Sequence, residues 1–321
     1  MKQLYMPEGA RLSSPENRDA VATLAGLERA MHTESILEGL VTLCDNDLRL
    51  HVSLPCAEGI IEPDEALLCR VGERRKDIAI ISRVGKPVSF RVLGIECKDG
   101  RVIARLSRRL AQQDCLTQLL TELRIGDLLQ ARVTHLEPFG AFLDIGCGLS
   151  SLLSVDCISV SRISHPRDRL SCGMTLTVAV KAIDRESGRI YATLRELLGT
   201  WEENAARFSV GQTVAGILRS VESYGVFIEL APNLAGLAEC KSELAEEMRK
   251  RIGQSAAVYI KSIVPDRMKI KLVLIDTAIS SPIEKKLPYF IDPEKTQHLS
   301  RWQYSPPSSK KVIETIFAPA D

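Results

Sequence analysis

From Ile36 onward, apolar and polar residues alternate with period two in short runs broken by turn residues, the mark of half-buried strands. The clearest run spans Ala131–Val155. Ala131, Val133 and Leu136 lead into a Pro138-Phe139-Gly140 turn, a second alternation runs from Ala141 to Ile145, and Gly146-Cys147-Gly148 breaks it before a third short run. Two strands joined by a tight turn put Phe139 and Phe142 at the mouth of a hairpin, where Gly140 tolerates dihedrals that other residues resist. Ahead of Ile36 the period is helical instead. Ser14 is placed as N-cap, Pro15 at the first helical position and Glu16 in the first turn, with Val21, Leu24, Leu27 and Met31 following on one face of an N-terminal helix.

The pattern repeats. Gly39–Pro63 overlays Ala131–Val155 without gaps, and so does the stretch from Ala215 to Cys240, where Tyr224, Gly225 and Phe227 fall on Phe139, Gly140 and Phe142. Each copy continues into a loop-rich middle and two further runs: Val88–Ile95 with Val102–Leu106, Thr175–Ile183 with Arg189–Leu194, and Ala256–Ile263 with Lys269–Leu274. Five short strands per unit suit a small closed barrel of the OB-fold kind better than a sandwich. The predicted fold is therefore all-β, three tandem five-stranded OB-fold barrels with short helical linkers and an N-terminal helix. The expected divisions are a helical segment over 1–34, a degenerate barrel over 35–110, and a linker over 111–125. A second barrel over 126–197, a linker over 198–210, a third barrel over 211–276 and a Pro/Ser-rich aromatic tail over 277–321 complete the chain. A helical spacer is expected from Leu194 to Phe208, with Trp201 as a hinge anchor, and the tail aromatics Tyr289, Phe290, Trp302 and Tyr304 are expected either to pin the tail to the third barrel or to dock a partner such as the ribosome.

Composition narrows the function. The net charge of +1 gives no global basic field, so polyanion binding would rest on local patches. Nine cysteines form no CxxC pair and no zinc-type spacing, which fits packed, reduced thiols and implies no metal or other cofactor. No run of apolar residues has signal-peptide or membrane-spanning length, so the sequence reads as cytoplasmic with no membrane partner. The Gly146-Cys147-Gly148 loop joins strand to strand and lacks the helix N-terminus of a phosphate loop, and Asp45-Asn46-Asp47 reads as a hairpin turn rather than a calcium loop.

The middle copy resembles the S1 RNA-binding domain, the OB-fold repeat of bacterial ribosomal protein S1, through Gly126, Phe139, Gly140, Phe142, Asp144, Gly146, Asp184, Gly188 and Arg189. The third copy is similar through Gly211, Tyr224, Gly225, Phe227, Gly236 and Leu237, and the first matches in frame only. The resemblance implies that single-stranded RNA crosses Phe139, Phe142, Asp184 and Arg189, with Ser154 where the family has a histidine. Glu239 and Glu62 hold that place in the third and first copies, and in the gap-free overlay the first copy's aromatic positions are Asp47 and Leu50. Stacked bases contribute about 1–3 kcal/mol each, with cations neutralising phosphate beside them. The competing reading of the aromatic pair is that one phenylalanine plugs the barrel.

Further RNA-contact candidates are His135, Lys181, Lys261, Lys269, Lys271 and the loop bearing Arg162, His165, Arg167 and Arg169. The basic run Arg70, Arg74, Arg75 and Lys76 is either a ribosomal-RNA contact or a hydrated surface. The expected function is that of a bacterial, non-catalytic, monomeric protein of translation that binds single-stranded RNA, holding mRNA at the 30S subunit. The alternative is a protein-interaction scaffold, or an accessory factor of RNA processing or decay.

Overall fold

The computed structural model describes residues 5–69, 76–98, 100–239, 242–276 and 287–317. Arg70, Arg74, Arg75, Asp99 and Cys240 lie outside these residues.

Two helices, α1 (Pro15–Ala22) and α2 (Leu24–His32), stand where one is expected. Ser14 caps the first by accepting from Asn17 N; the break falls at Thr23, whose extended backbone lets its hydroxyl accept from Gly26 N and cap the second. The first ring follows: β1 (Leu37–Cys44), β2 (Leu50–Ser53), β3 (Glu58–Ile61), a short helix α3 (Asp77–Ile81), β4 (Pro87–Lys98) and β5 (Arg101–Ser107). Helix α4 (Arg108–Glu122) leads to the middle ring, β6 (Leu128–Glu137), β7 (Gly140–Asp144), β8 (Ser150–Ser154), β9 (Thr175–Asp184) and β10 (Arg189–Thr193). The expected Leu194–Phe208 helical spacer consists of a 3-10 turn over Arg195–Leu198, an interruption at Gly199 and α5 (Trp201–Ala205). Gly199 has φ +84°, and a Cβ there would meet the Phe290 ring at 2.6 Å. The third ring comprises β11 (Thr213–Glu222), β12 (Gly225–Ala231), β13 (Leu234–Ala238), α6 (Ser242–Lys250), β14 (Ser255–Val264) and β15 (Lys269–Asp276); a small hairpin of β16 (Arg301–Gln303) and β17 (Glu314–Ile316) ends the described chain.

All three rings share one order: the first strand pairs with the second, the second with the third, the third in parallel with the fifth, and the fifth with the fourth, which returns to the first. Closure needs the first strand to serve two partners, and a bulge makes the bend. β6 pairs with β9 through Leu128–Arg132 and with β7 through Arg132–Glu137, its register shifting between Val133 and His135. The same shift falls between Val41 and Leu43 in β1 and between Leu218 and Ser220 in β11. Inside each ring alternate side chains form a separate core.

The rings are tied by buried polar contacts. The segment around Glu8 runs between the first two. Its carboxylate accepts from Arg108 Nε at 2.7 Å and Nη2 at 3.0 Å and from Ser89 N, and its amide donates to Asp144 Oδ2 at 2.7 Å. Asp144 Oδ1 also accepts from Gly146 N and Gly148 N, so the glycine loop spends those amides on holding its own shape. Between the second and third rings, buried Glu229 pairs with Arg169 at 2.5 Å and Arg219 at 2.6 Å, and buried Asn233 accepts from Val160 N and donates to the carbonyls of Arg195 and Gly199. The C-terminal residues lie against both rings: Thr177 N donates to Tyr289 Oη, His298 pairs with Asp127 at 2.7 Å, and Trp302 and Tyr304 enter the third core cluster, Tyr304 Oη donating to Asn233 O at 2.6 Å.

Two outcomes follow from the Glu8 web. Arg108→Ala strands a buried carboxylate, so chemical denaturation should show a loss of about 3–5 kcal/mol; a loss under about 1 kcal/mol would contradict this account. Burial, reinforced by the charge of Glu8, pushes Asp144 up to about 7. A carboxyl raised above its unfolded value favours the protonated fold, a contribution complete below about pH 4 and lost as pH rises through about 7. The thermal midpoint should therefore fall as pH rises from about 4 to about 7 and level off above that, and Glu8→Gln should flatten that slope.

Candidate nucleic-acid interface

The β6–β7 hairpin closes on Glu137 and Gly140, leaving Pro138 and Phe139 as its tip, and the Phe139 carbonyl accepts from Val155 N at 2.9 Å. Gly140 is dictated by closeness: a Cβ there would lie 2.5 Å from Leu153 O. With the hairpin pressed onto β8, Phe139 has nowhere to go but outward, and its side chain is 55% exposed. Phe142 follows on the outer face between buried Ala141 and Leu143, its ring edge-on to Phe139 with centroids 6.0 Å apart. Neither ring plugs the barrel. The third ring repeats this closely: Gly225 under Ala238 O, Tyr224 61% exposed, and Tyr224 and Phe227 edge-on at 6.2 Å.

Strand register places the remaining candidates. Across the outer face of the middle barrel, paired positions run His135, Phe142, Leu152, Tyr191 and Ala182. The imidazole of His135 lies stacked 6.4 Å from Phe142, and its Nε2 contacts Glu137 at 2.7 Å. Ser154 pairs with Gly140 below the aromatic tip, and its hydroxyl donates to Asp156, lowering that carboxyl. Arg189 is exposed and stands opposite Asp184. Asp184 accepts from Ser187 Oγ, Ser187 N and Glu186 N; these bonds, with Arg189 nearby, hold its pKa below the ordinary value and fix the β9–β10 turn. Lys181 sits on the bulge of β9, its Nζ donating to Cys157 Sγ at 2.9 Å, a contact that raises the lysine's pKa. Lys261 occupies the same bulge in β14, and Lys269 opens β15 as Arg189 opens β10. Both lysines are exposed.

Two expectations need correction. The arginine loop is not a single phosphate grip: Arg162 is exposed and Arg167 Nε contacts His165, but Arg169 is buried against Glu229 and ties the barrels together. The gap-free overlay of the first copy also slips. The β1–β2 turn is one residue longer than the β6–β7 turn, so His51, paired with Leu43, occupies the place of Phe142, and Leu50 is fully buried. Desolvation opposes charge on His51, yet the carboxylates of Glu58 at 2.9 Å and Asp45 at 3.3 Å hold its pKa above the ordinary value. At the cation positions the first barrel has Leu93 on the bulge of β4 and Ile103 in β5.

Sequence reasoning also missed Tyr191; aligning the fifth strands sets Arg189 and Tyr191 against Lys269 and Lys271, but the pairing with β8 supplies its place in the row. Among the described residues no group of His, Cys, Asp and Glu could hold a metal ion, and no helix is long and apolar enough to cross a membrane.

Residues 122–195 match the model of the S1 RNA binding domain. The chain is 31% identical over 198 residues to small ribosomal subunit protein bS1 of Leuconostoc lactis, covering 60% of this chain and 44% of that protein. It is 30% identical over 212 residues to bS1 of Staphylococcus aureus, covering 64% and 52%. It thus spans about half the length of the curated relatives it matches. Among solved structures, the solution structure of GSP13 from Bacillus subtilis aligns at 26% identity and a TM-score of 0.22, covering 23% of this chain and 57% of that one. The middle barrel belongs to the S1 RNA-binding domain family, and the chain around it is similar to bacterial small ribosomal subunit protein bS1.

Proposed function

We propose that this protein binds single-stranded RNA without catalysing a reaction, and holds mRNA at the small ribosomal subunit in the cytoplasm as a monomer. On this reading the middle barrel carries most of the binding and the third barrel assists. The observation that carries it is the outward pair Phe139 and Phe142, reproduced as Tyr224 and Phe227. Rings held on a sheet face by backbone closeness are stacking platforms for bases, and every base has a face to stack. His135 enlarges the first platform. Arg189, Lys181 and Arg162 in the middle barrel, and Lys261 and Lys269 in the third, would meet phosphates; Ser154 and Asp184 would shape the floor and the turn beside them.

The three barrels are graded. The third keeps the aromatic pair and the lysines but has exposed Glu239 in the place of Ser154, which repels a phosphate. The first has His51 between two carboxylates and aliphatic residues where the others carry cations. Its outer face therefore contributes little RNA affinity.

Fluorescence anisotropy with a labelled oligouridylate tests the reading. Phe139→Ala with Phe142→Ala should weaken binding by roughly 2–5 kcal/mol, one to a few orders of magnitude, with circular dichroism unchanged. The equivalent pair Tyr224→Ala with Phe227→Ala should cost less. A folded middle-barrel double mutant of unchanged affinity would sink the idea.

A further inference from the structure

The outer face of the middle barrel holds an aromatic ring that the Phe139–Phe142 pair does not use. Tyr191 alternates with buried Ile190 and Ala192 along β10, so its half-exposed ring stands on the same face as Phe142. The register fixes where. Phe142 pairs with Leu152 on β8, and Leu152 pairs with Tyr191 on β10, so one strand separates the two rings. At about 4.8 Å per strand their backbones lie about 10 Å apart. Only the half-buried aliphatic side chain of Leu152 stands between them in the row.

We propose that Tyr191 is a further nucleobase-stacking subsite, taking a second base of the same single strand that Phe142 engages. The inference rests on the RNA-binding reading above and deepens it. A separation of about 10 Å is much larger than the roughly 3.4 Å rise between stacked bases of a duplex strand, so the two rings hold splayed bases that are not stacked on each other. Arg189 precedes Tyr191 by two residues on the same outward side of β10, which sets a cation within about 7 Å along the strand from the second ring. The linking phosphates cross beside it. The arrangement belongs to this barrel alone among the three: the equivalent position is Lys271 in the third ring, paired with Leu237, and Arg105 in the first, paired with Ile60. Those barrels place a charge where the middle barrel places a ring. The middle barrel therefore gains stacking, which is less sensitive to salt than a phosphate contact, and engages a longer stretch of RNA.

The test uses the full chain with two fluorescein-labelled probes, a single uridine nucleotide, which cannot reach both rings at once, and an oligouridylate of about ten nucleotides, with Tyr191→Ala, Tyr191→Phe and Phe142→Ala. Tyr191→Ala should weaken the oligouridylate about 5- to 100-fold and leave the single nucleotide within about twofold, whereas Phe142→Ala should weaken both. Tyr191→Phe keeps the ring and should restore wild-type affinity. A 4-thiouridine-substituted oligouridylate should crosslink to the peptide containing Tyr191, a signal that a merely packing tyrosine would not give. If Phe142→Ala weakens binding while Tyr191→Ala binds the oligouridylate as wild type does, or weakens both probes equally, the subsite is overturned and the RNA-binding reading stands. If the wild-type chain binds neither probe, that reading fails and takes the subsite with it.

Discussion

A five-stranded ring has room inside for only one side of each strand. Alternate residues must therefore face out, and the interior of the middle barrel is already filled by residues such as Val133, Leu143, Leu153, Val178 and Ile190. Every aromatic ring at an intervening position is left on the surface. In the middle barrel this constraint acts with a second one, the contact of Gly140 with the β8 backbone, which leaves no space beneath the hairpin tip. Phe139 and Phe142 are exposed because the barrel closes as it does. The same two constraints act through Gly225 in the third ring and produce the same edge-on pair, so the geometry follows from the fold and not from one local accident.

The joints between rings follow a different logic. Each is made of charged groups taken out of water and matched: Glu8 with Arg108 between the first and second, and Glu229 with Arg169 and Arg219 between the second and third. Such pairs give little net stability compared with apolar packing, but breaking one leaves a buried charge alone. Their consequence here is fixed orientation. The C-terminal residues add to it by placing Tyr289 and His298 on the middle barrel and Trp302 and Tyr304 on the third. The aromatic faces of these two barrels are thereby carried on one connected scaffold.

Period-two patterning showed the strands because one side of each is core, and self-comparison showed the repeats because each ring closes through the same strand order and alternation, with the hairpin glycine shared by the second and third rings. What the sequence hid was register and long-range pairing. One extra residue in the β1–β2 turn moves His51, not Leu50, into the place of Phe142, and a gap-free overlay has no means of sensing a loop that is longer on one side and shorter on the other. Arg169 looked like its neighbours Arg162 and Arg167, since its partner Glu229 lies sixty residues away in another barrel. Tyr191 was passed over for a simpler reason: the row that gives it meaning exists only once β8 and β10 pair in parallel. The helical spacer from Leu194 to Phe208 is split at Gly199, where the backbone turns to a positive φ against the Phe290 ring, a contact between distant residues that local patterning does not show.

The most direct measurement of the central claim is hydrogen–deuterium exchange of the full chain with and without a saturating single-stranded oligoribonucleotide. Added protection should centre on the β6–β7 hairpin and on β10, appear more weakly at the β11–β12 hairpin and β15, and be absent from β1–β3. Protection centred on the first barrel, or confined to the C-terminal residues, would contradict the assignment of RNA binding to the aromatic face of the middle barrel.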